Sequence, residues 1–387
     1  MNNNKASKFL PYGQQTIEDD DIESVIHVLQ SDYLTTGPKA EEFEKALSSR
    51  LGVKEAIVCG NGTHALHLAC MAANIEVGDA AIVPTMTFLA TANAIRYCGA
   101  EVIFADIDPQ TGLLTPDILR QVIAQNKGKN IKAVLPVHLA GQSVDLQEIR
   151  KIADQNNLKV IADSCHALGT TYKGHEIGSC TYEDFATYSF HPVKTIAMGE
   201  GGAVTMNNSE IADRLRKLRS HGMIPKPDLG PWIYEMPELG YNYRASDIHC
   251  ALGLSQLKKL DRFIQRRKEL AALYDELLKP LAPIIKPPKR VPSCDPAWHL
   301  YTVRIDFDQI DIGRAELMDR LKEKGIGTQV HYIPVHTQPY YQAAYGTQNL
   351  PGAEQYYSQI LSLPLFPAMK EEDVHFVIKS LEEILIK

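Results

Sequence analysis

The sequence predicts an α/β protein with a mostly parallel central sheet flanked by helices and a smaller α+β domain at its C-terminal end. Three observations lead there. Between residues 56 and 162, short apolar runs of strand length alternate with amphipathic helical patterns, which is how successive βαβ units read. A proline-rich stretch over 280–296 follows a long helical pattern and marks a seam, dividing the chain into 1–278 and 279–387. At 387 residues the chain is also too long for one ordinary core.

Taken in order, Ile22, Val25, Ile26 and Leu29 repeat at helical spacing, with Thr16 and Asp19 as the expected capping box. Phe43, Leu47 and Leu51 mark a second helix, and 56–59 the first strand. Gly60-Asn61-Gly62-Thr63 then opens a helix with Leu66, Ala69, Cys70 and Ala73 facing inward. A glycine-rich turn into a helix start leaves backbone N–H groups free for an anion, though a helix end supplies only ~0.3–2 kcal/mol, so a phosphate there needs further donors. The segment matches neither GxGxxG nor GxxxxGK, which counts against nicotinamide and P-loop readings. Cys59, His64, His67 and Cys70 mimic metal-ligand spacing, but Cys70 shares the apolar helix face, and no metal is expected.

Strands are then expected at 81–84, 102–106, 133–137 and 159–162, alternating with helices at 90–97, 116–125 and 145–155. In such sheets ligands gather beyond the carboxyl ends of strands, where Phe88, His138, Asp163 and His166 all fall. After a β-rich segment ending in Ser189-Phe190-His191, glycines 199, 201 and 202 turn the backbone and present Lys194 from a loop. A strand at 203–206 and a helix through Ile211, Leu215 and Leu218 come next, with the basic cluster Arg214, Arg216, Lys217 and Arg219 read as a solvated face. Residues 225–237 read as an irregular excursion and 244–278 as one long helix. The remainder reads as strands at 301–307 and 327–332, a helix at 314–324 and a closing helix through Leu385.

A net charge of −7 and a pI near 6.0 argue against a nucleic-acid surface. Seven cysteines without framework spacing fit a reducing compartment, and neither an apolar leader in MNNNKASKFLP nor an 18-residue apolar run is present, so a cytoplasmic protein is expected. A loop lysine, a glycine-rich cradle, an acid ending an apolar strand and an aromatic in PTMTF together describe a pyridoxal phosphate enzyme. In that chemistry the lysine carries the cofactor and the acid keeps its pyridine nitrogen protonated.

Beyond these single features, the chain resembles the DegT/DnrJ/EryC1/StrS sugar aminotransferases. The likeness runs through LTTGPKAEEFE (34–44), NGTHAL (61–66), TFLAT (87–91), IADSCHALG (161–169), SFHPVKTIAMGEGGAV (189–204), GYNYRASDIHCALGLSQL (240–257) and GTQVHYIPVHTQPYY (327–341). It implies the fold type I of pyridoxal-phosphate-dependent transferases. It also implies Lys194 as the cofactor-bearing lysine and acid–base, Asp163 at the ring nitrogen, His166 against the cofactor, Phe88 stacked on the ring, and Gly62, Thr63 and Ser189 around the phosphate. Asn242 would reach the phosphate of a neighbouring subunit, which implies a homodimer with shared sites. His138, His331 and Tyr332 would face the substrates, a nucleotide sugar and an amino acid. Within the family, 164–172, 218–223 and 251–271 look most like transaminases of the pseudaminic acid route, which aminate a UDP-linked 4-keto sugar. A dehydratase of the same fold is disfavoured because the resembling dehydratases carry histidine at the Lys194 position; a non-catalytic homologue is disfavoured because the cofactor set is complete.

Overall fold

The computed structural model describes residues 9–385; the initial MNNNKASK, on which part of the leader reading rests, lies outside them. In chain order the elements that position the site are α1 (Asp19–Leu29), α2 (Lys39–Leu51), β1 (Glu55–Cys59), α3 (Gly62–Ala72), β2 (Ala80–Pro84), α4 (Leu89–Tyr97), β3 (Glu101–Ala105), α5 (Pro116–Gln125), β4 (Ile131–Val134), α6 (Leu146–Gln155), β5 (Lys159–Asp163), β6 (Phe185–Ser189), β7 (Gly202–Met206) and α7 (Ser209–Leu218). They form a seven-stranded sheet in the order β1-β7-β6-β5-β4-β2-β3, in which β7 runs antiparallel to both neighbours and the other pairings are parallel. The strands are nearly continuous apolar runs, as a sheet covered on both faces requires. One core lies between the sheet and α3, α4 and α7, around Ile57, Leu66 and Val204; a second lies on the α5 and α6 side, around Ile82, Leu119 and Ile149.

Past the sheet, α8 (Asp247–Leu257) and α9 (Leu260–Leu278) lead to a small antiparallel sheet of β8 (Ile285–Lys286), β9 (Tyr301–Ile305) and β10 (Ile360–Leu363), in that order. This sheet packs with α10 (Arg314–Glu323) and α13 (Glu371–Leu385), while α11 (Pro339–Tyr345) and α12 (Pro351–Gln359) lie between them in sequence. Leu270, Tyr274 and Leu278 of α9 are buried in that C-terminal core.

Five sequence expectations need correction. Helix α1 is capped by Glu18, whose N–H donates to Asp21 Oδ2 at 2.9 Å; Thr16 stands two residues too early and instead offers its carbonyl to Gln256. The helix expected over 244–278 starts at Asp247, after Ser246, and breaks at Lys258-Lys259, where the Lys259 amine reaches Asp20 at 2.6 Å and Asp21 at 2.7 Å. Residues 327–332 form no strand and meet the small sheet at Ser362, through the bridge from Gln329 and the side chain of His331; the third strand is β10, for which the sequence reading gave no element. Helices α11 and α12 went unread, each being short and opened by proline. Finally, the basic face of α7 is not merely solvated: Arg219 is largely covered and pairs with Glu44 and the Val58 carbonyl, while Arg216 pairs with Glu55 at 2.7 Å.

Candidate active site

The carboxyl edge of the central sheet gathers the chemistry. Strands β5 and β6 are parallel, with Asp163 opposite Thr187, so Asp163 and Ser189 emerge at neighbouring strand ends. The His138 N–H donates to the Asp163 carbonyl at 3.1 Å, and the turn after β2 carries Thr85, Thr87 and Phe88 to the same edge. Helix α3 starts against Ser189. Gly62 leaves room there that no other residue would: a Cβ at 62 would meet Ser189 Cβ at 2.8 Å and Cys165 Sγ at 3.4 Å. Asn61 caps the helix by accepting from the His64 N–H at 2.9 Å, so the earlier amides at Gly62 and Thr63 stay free for another acceptor. Ser189 Oγ accepts only a long bond from the His191 N–H, at 3.4 Å, and keeps its proton to donate.

Lys194 is half-buried on the turn closed by its own N–H to the His191 carbonyl, 2.8 Å. Burial pushes its amine below the ordinary lysine value, against the opposing pull of Cys165 and Asp163. The same amine pushes His166, His299 and His331 further down than burial alone, so these groups surround it within Coulomb range. Asp163 is 6% exposed. Its Oδ1 accepts from the Cys165 N–H at 3.1 Å and its Oδ2 from Thr91 Oγ1 at 2.6 Å. Thr91 in turn lies 2.7 Å from Thr87 Oγ1.

His166 is held in one tautomer. Its Nδ1 accepts from the Ala140 N–H at 3.2 Å, so in the neutral ring the proton sits on Nε2, which lies 3.1 Å from the Tyr332 hydroxyl. Burial holds the ring neutral and pushes the Tyr332 hydroxyl up, so it stays a donor. Tyr332 also lies 5.8 Å from the ring of Phe88, which is 54% exposed and caps α4. His331 Nδ1 meets Ser362 Oγ at 2.8 Å, and burial lowers its value to about 3. His138 is fully buried behind Asp163; its Nδ1 accepts from the Val144 N–H at 3.3 Å, its Nε2 has no partner among the described residues, and burial lowers its value to about 3.

Thus Gly62 and Ser189 form one corner, and Phe88, Asp163, His166, Lys194, His331 and Tyr332 another, with Thr63 on the first turn of α3 and His138 beneath. Asn242 stands apart. It is exposed, paired through its backbone with Ser220, on a segment that runs beside Gly60 through the bond from the Gly60 N–H to the Tyr243 carbonyl. Sequence reading missed Thr87 and Thr91, whose spacing of four across a helix start was the available signal, and His299, whose ring lies 4.4 Å from His166 and which no motif marks. The residues of the metal-like pattern are engaged otherwise: His64 stacks on Tyr243 at 3.8 Å, and His67 Nδ1 meets the Tyr243 hydroxyl at 3.1 Å. A cleft of about 620 Å3 lies elsewhere, between α2 and α7, and its Arg216 and Arg219 are already neutralised by Glu55 and Glu44.

This donor set fits pyridoxal phosphate: free amides and a hydroxyl at the Gly62 corner for a phosphate, a buried carboxylate for a ring nitrogen, an exposed aromatic face, and a desolvated amine for the aldehyde. Residues 15–382 match the model of the DegT/DnrJ/EryC1/StrS aminotransferase family. The chain is 39% identical to the spore coat polysaccharide biosynthesis protein SpsC of Bacillus subtilis, over 98% of each chain. Among solved structures it is similar to Helicobacter pylori PseC, an aminotransferase involved in the biosynthesis of pseudoaminic acid, with TM-score 0.91 and 31% identity over 98% of this chain and 99% of that one. It is also similar to Spr1654 from Streptococcus pneumoniae in its PMP form, with TM-score 0.90 and 28% identity over 97% and 98%. The chain therefore belongs to the DegT/DnrJ/EryC1/StrS aminotransferase family, with pyridoxal 5′-phosphate as its cofactor.

Proposed function

We propose that this enzyme moves an amino group from an amino acid, L-glutamate in the first instance, to C4 of a 4-keto-6-deoxy nucleotide sugar. The leading substrate is UDP-2-acetamido-2,6-dideoxy-β-L-arabino-hex-4-ulose, a reading supported by the similarity to PseC. The greater identity to SpsC, named for spore coat polysaccharide, supports a second reading, another UDP-, dTDP- or GDP-linked 3- or 4-keto sugar. The observation that carries the reaction class is the desolvated amine of Lys194 beside the Asp163 carboxylate, ringed by neutral histidines.

When bound, pyridoxal phosphate supplies an electron sink for negative charge at the substrate carbon and a carrier for the nitrogen. Gly62, Thr63 and Ser189 would hold the phosphate, Asp163 the ring nitrogen and Phe88 the ring face. His166, through its Nε2–H, orients the Tyr332 hydroxyl, which with His331 serves the substrate side, whereas His138, expected there from the sequence, is fully buried behind Asp163 and supports the site from beneath. Lys194, its ammonium form disfavoured by burial, accepts a proton at Nζ and returns it. No separate base is needed.

The same reading includes a homodimer in which each subunit lends Asn242 to its partner's phosphate. Support comes from the exposure of Asn242 and from Leu229, Trp232, Tyr234, Met236 and Leu239, all more than half exposed just before it. We place the division between large and small domains at 278/279, with the end of α9 packed into the small domain's core. No helix among the described residues is long and apolar enough to cross a membrane, in keeping with the proposed cytoplasmic location.

The test is a panel of UDP-, dTDP- and GDP-linked 4-keto sugars, each with L-glutamate and the purified holoenzyme, read by mass spectrometry. The expected product is the UDP-linked 4-amino sugar. Amination of a dTDP- or GDP-linked sugar alone would overturn the leading substrate, and no amination of any sugar would overturn the reaction.

A further inference from the structure

A carboxylate that must meet a ring nitrogen needs its free lone pairs pointed, and two short contacts from one chain of hydroxyls do this here. Thr91 has a single hydroxyl proton and two acceptors in range: Asp163 Oδ2 at 2.6 Å and the Phe88 carbonyl at 3.4 Å. The much shorter bond, to the carboxylate oxygen, takes the proton. The Thr87–Thr91 contact of 2.7 Å then has only one possible donor, Thr87. The polarity of the chain is fixed as Thr87 to Thr91 to Asp163. All three side chains are buried, Thr91 fully, so no water competes for these bonds.

Both hydroxyls are anchored by rigid elements. Thr91 sits in the first turn of α4, whose cap is Phe88, and the residue before that cap is Thr87. Ring platform and carboxylate are thereby tied to one helix start. On the other side, the Cys165 N–H occupies Oδ1 at 3.1 Å. Each carboxylate oxygen keeps one lone pair unclaimed by these bonds.

We propose that Thr91, oriented by Thr87, is a positioning residue that fixes the Asp163 carboxylate for the cofactor's ring nitrogen. The proposal rests on the pyridoxal phosphate reading of the site and extends it to two residues outside the family-matched set of cofactor contacts. Thr91→Val keeps the shape and β-branching of the side chain and removes only the hydroxyl; Thr91→Ser restores it. The main readout is independent of turnover: the 15N signal of pyridoxal phosphate labelled at its ring nitrogen, bound to each variant.

In Thr91→Val the signal is expected to move towards that of the unprotonated ring or to broaden, and in Thr91→Ser to return to the wild-type position. Thr87→Val is expected to move it the same way by less, and serves as the second variant should Thr91→Val fold poorly. In the half-reaction with L-glutamate, kcat is expected to fall about ten- to a hundredfold in Thr91→Val with KM nearly unchanged, the rate equivalent of one hydrogen bond to a charged group. A wild-type 15N signal in both valine variants overturns the proposal. Because the 15N comparison needs no amino donor, a protein that binds the cofactor but transfers no amine would sink the aminotransferase reading while this comparison still decides the role of Thr91.

Discussion

Two flanks of the same site are built in opposite ways. The inner flank, at Asp163, is complete within one chain: Thr91, Cys165, His166, Tyr332 and the Gly62–Ser189 contact interlock through buried hydrogen bonds and close packing. The outer flank, at Asn242, is exposed, and the segment that precedes it in the chain leaves apolar side chains in solvent, Trp232 at 77% and Leu239 at 72% exposure. Helix α1 repeats the pattern, with Ile22, Ile26 and Leu29 exposed on the side away from its packing on α8. Buried polar groups are costly unless satisfied, so the inner flank is rigid by necessity. The exposed apolar surface of the outer flank is what the proposed second copy would cover. The Asp163 side of the inner flank should therefore set the chemistry, while its Gly62–Ser189 corner and the outer flank share the affinity for cofactor.

The comparison breaks first at Lys194. Lys194→Ala should abolish steady-state turnover and leave the thermal midpoint of the apoprotein within a few degrees of wild type, because removing a desolvated amine with no side-chain hydrogen bond costs the fold little. Activity above a trace in that variant would remove Lys194 from the reaction. Asp163→Asn should lower kcat on the order of a hundredfold, the scale of one preorganised electrostatic partner, while cofactor affinity falls much less because the Gly62, Thr63 and Ser189 corner is untouched. Equal losses in both would mean that the inner flank binds and does not tune.

How legible each flank is follows from the same contrast. The central sheet could be read because its strands are continuous apolar runs between glycine and proline breaks, and the positions of Phe88, Asp163 and Ser189 follow from strand ends. Local pattern failed where long-range contacts decide. Lys259 breaks the long helix because two aspartates 239 and 238 residues earlier lie within reach, and β10 is a strand because β9 pairs with it. His299 carries no local signal at all, being placed by the turn before β9 and the His166 ring. Asn242 is a loop residue like any other in periodicity and composition; only the family resemblance singles it out.

The outer flank gives the next prediction. Asn242→Ala should weaken cofactor binding by ~1.5–3 kcal/mol, one charge-assisted hydrogen bond. At a cofactor concentration well below the weakened Kd of Asn242→Ala, where that variant and Lys194→Ala are each nearly inactive, the two kinds of subunit should regain activity when mixed, since one site of the mixed dimer then carries both lesions and the other neither. With complete random exchange, half of the dimers are mixed and each has one intact site of two, so about a quarter of wild-type activity is expected. If tagged subunits exchange and no activity returns, Asn242 acts within its own chain and the two flanks are not completed across a dimer.

The smallest expected effect concerns acid stability, to which the buried histidines of the inner flank contribute. Burial is the largest cause of a lowered value in His138, His166, His299 and His331, to about 3 in His138 and His331, and the Lys194 charge adds to it in His166, His299 and His331. Their folded values thus lie below the unfolded value of ~6.5. Above pH ~6.5 both states are neutral at these rings and stability does not depend on them. Below it, the unfolded chain takes up protons that the folded chain refuses, so stability is lost as pH falls from ~6.5 towards about 3 for His138 and His331. Each ring contributes a slope of ~1.4 kcal/mol per pH unit in that window. Asp21, whose carboxyl is held below its usual value by Lys259 and other donors against desolvation, acts the same way only at lower pH, below ~4. Urea unfolding of the apoprotein at pH 7.5, 6.5, 5.5 and 4.5 therefore isolates the histidines. His138→Gln should reduce the slope between pH 6 and 4.5 by about one ring's worth, ~1.4 kcal/mol per pH unit, and Asn242→Ala should leave it unchanged. A slope identical in wild type and His138→Gln would mean that His138 is hydrated in the folded chain and that the inner flank is less closed than its hydrogen bonds imply.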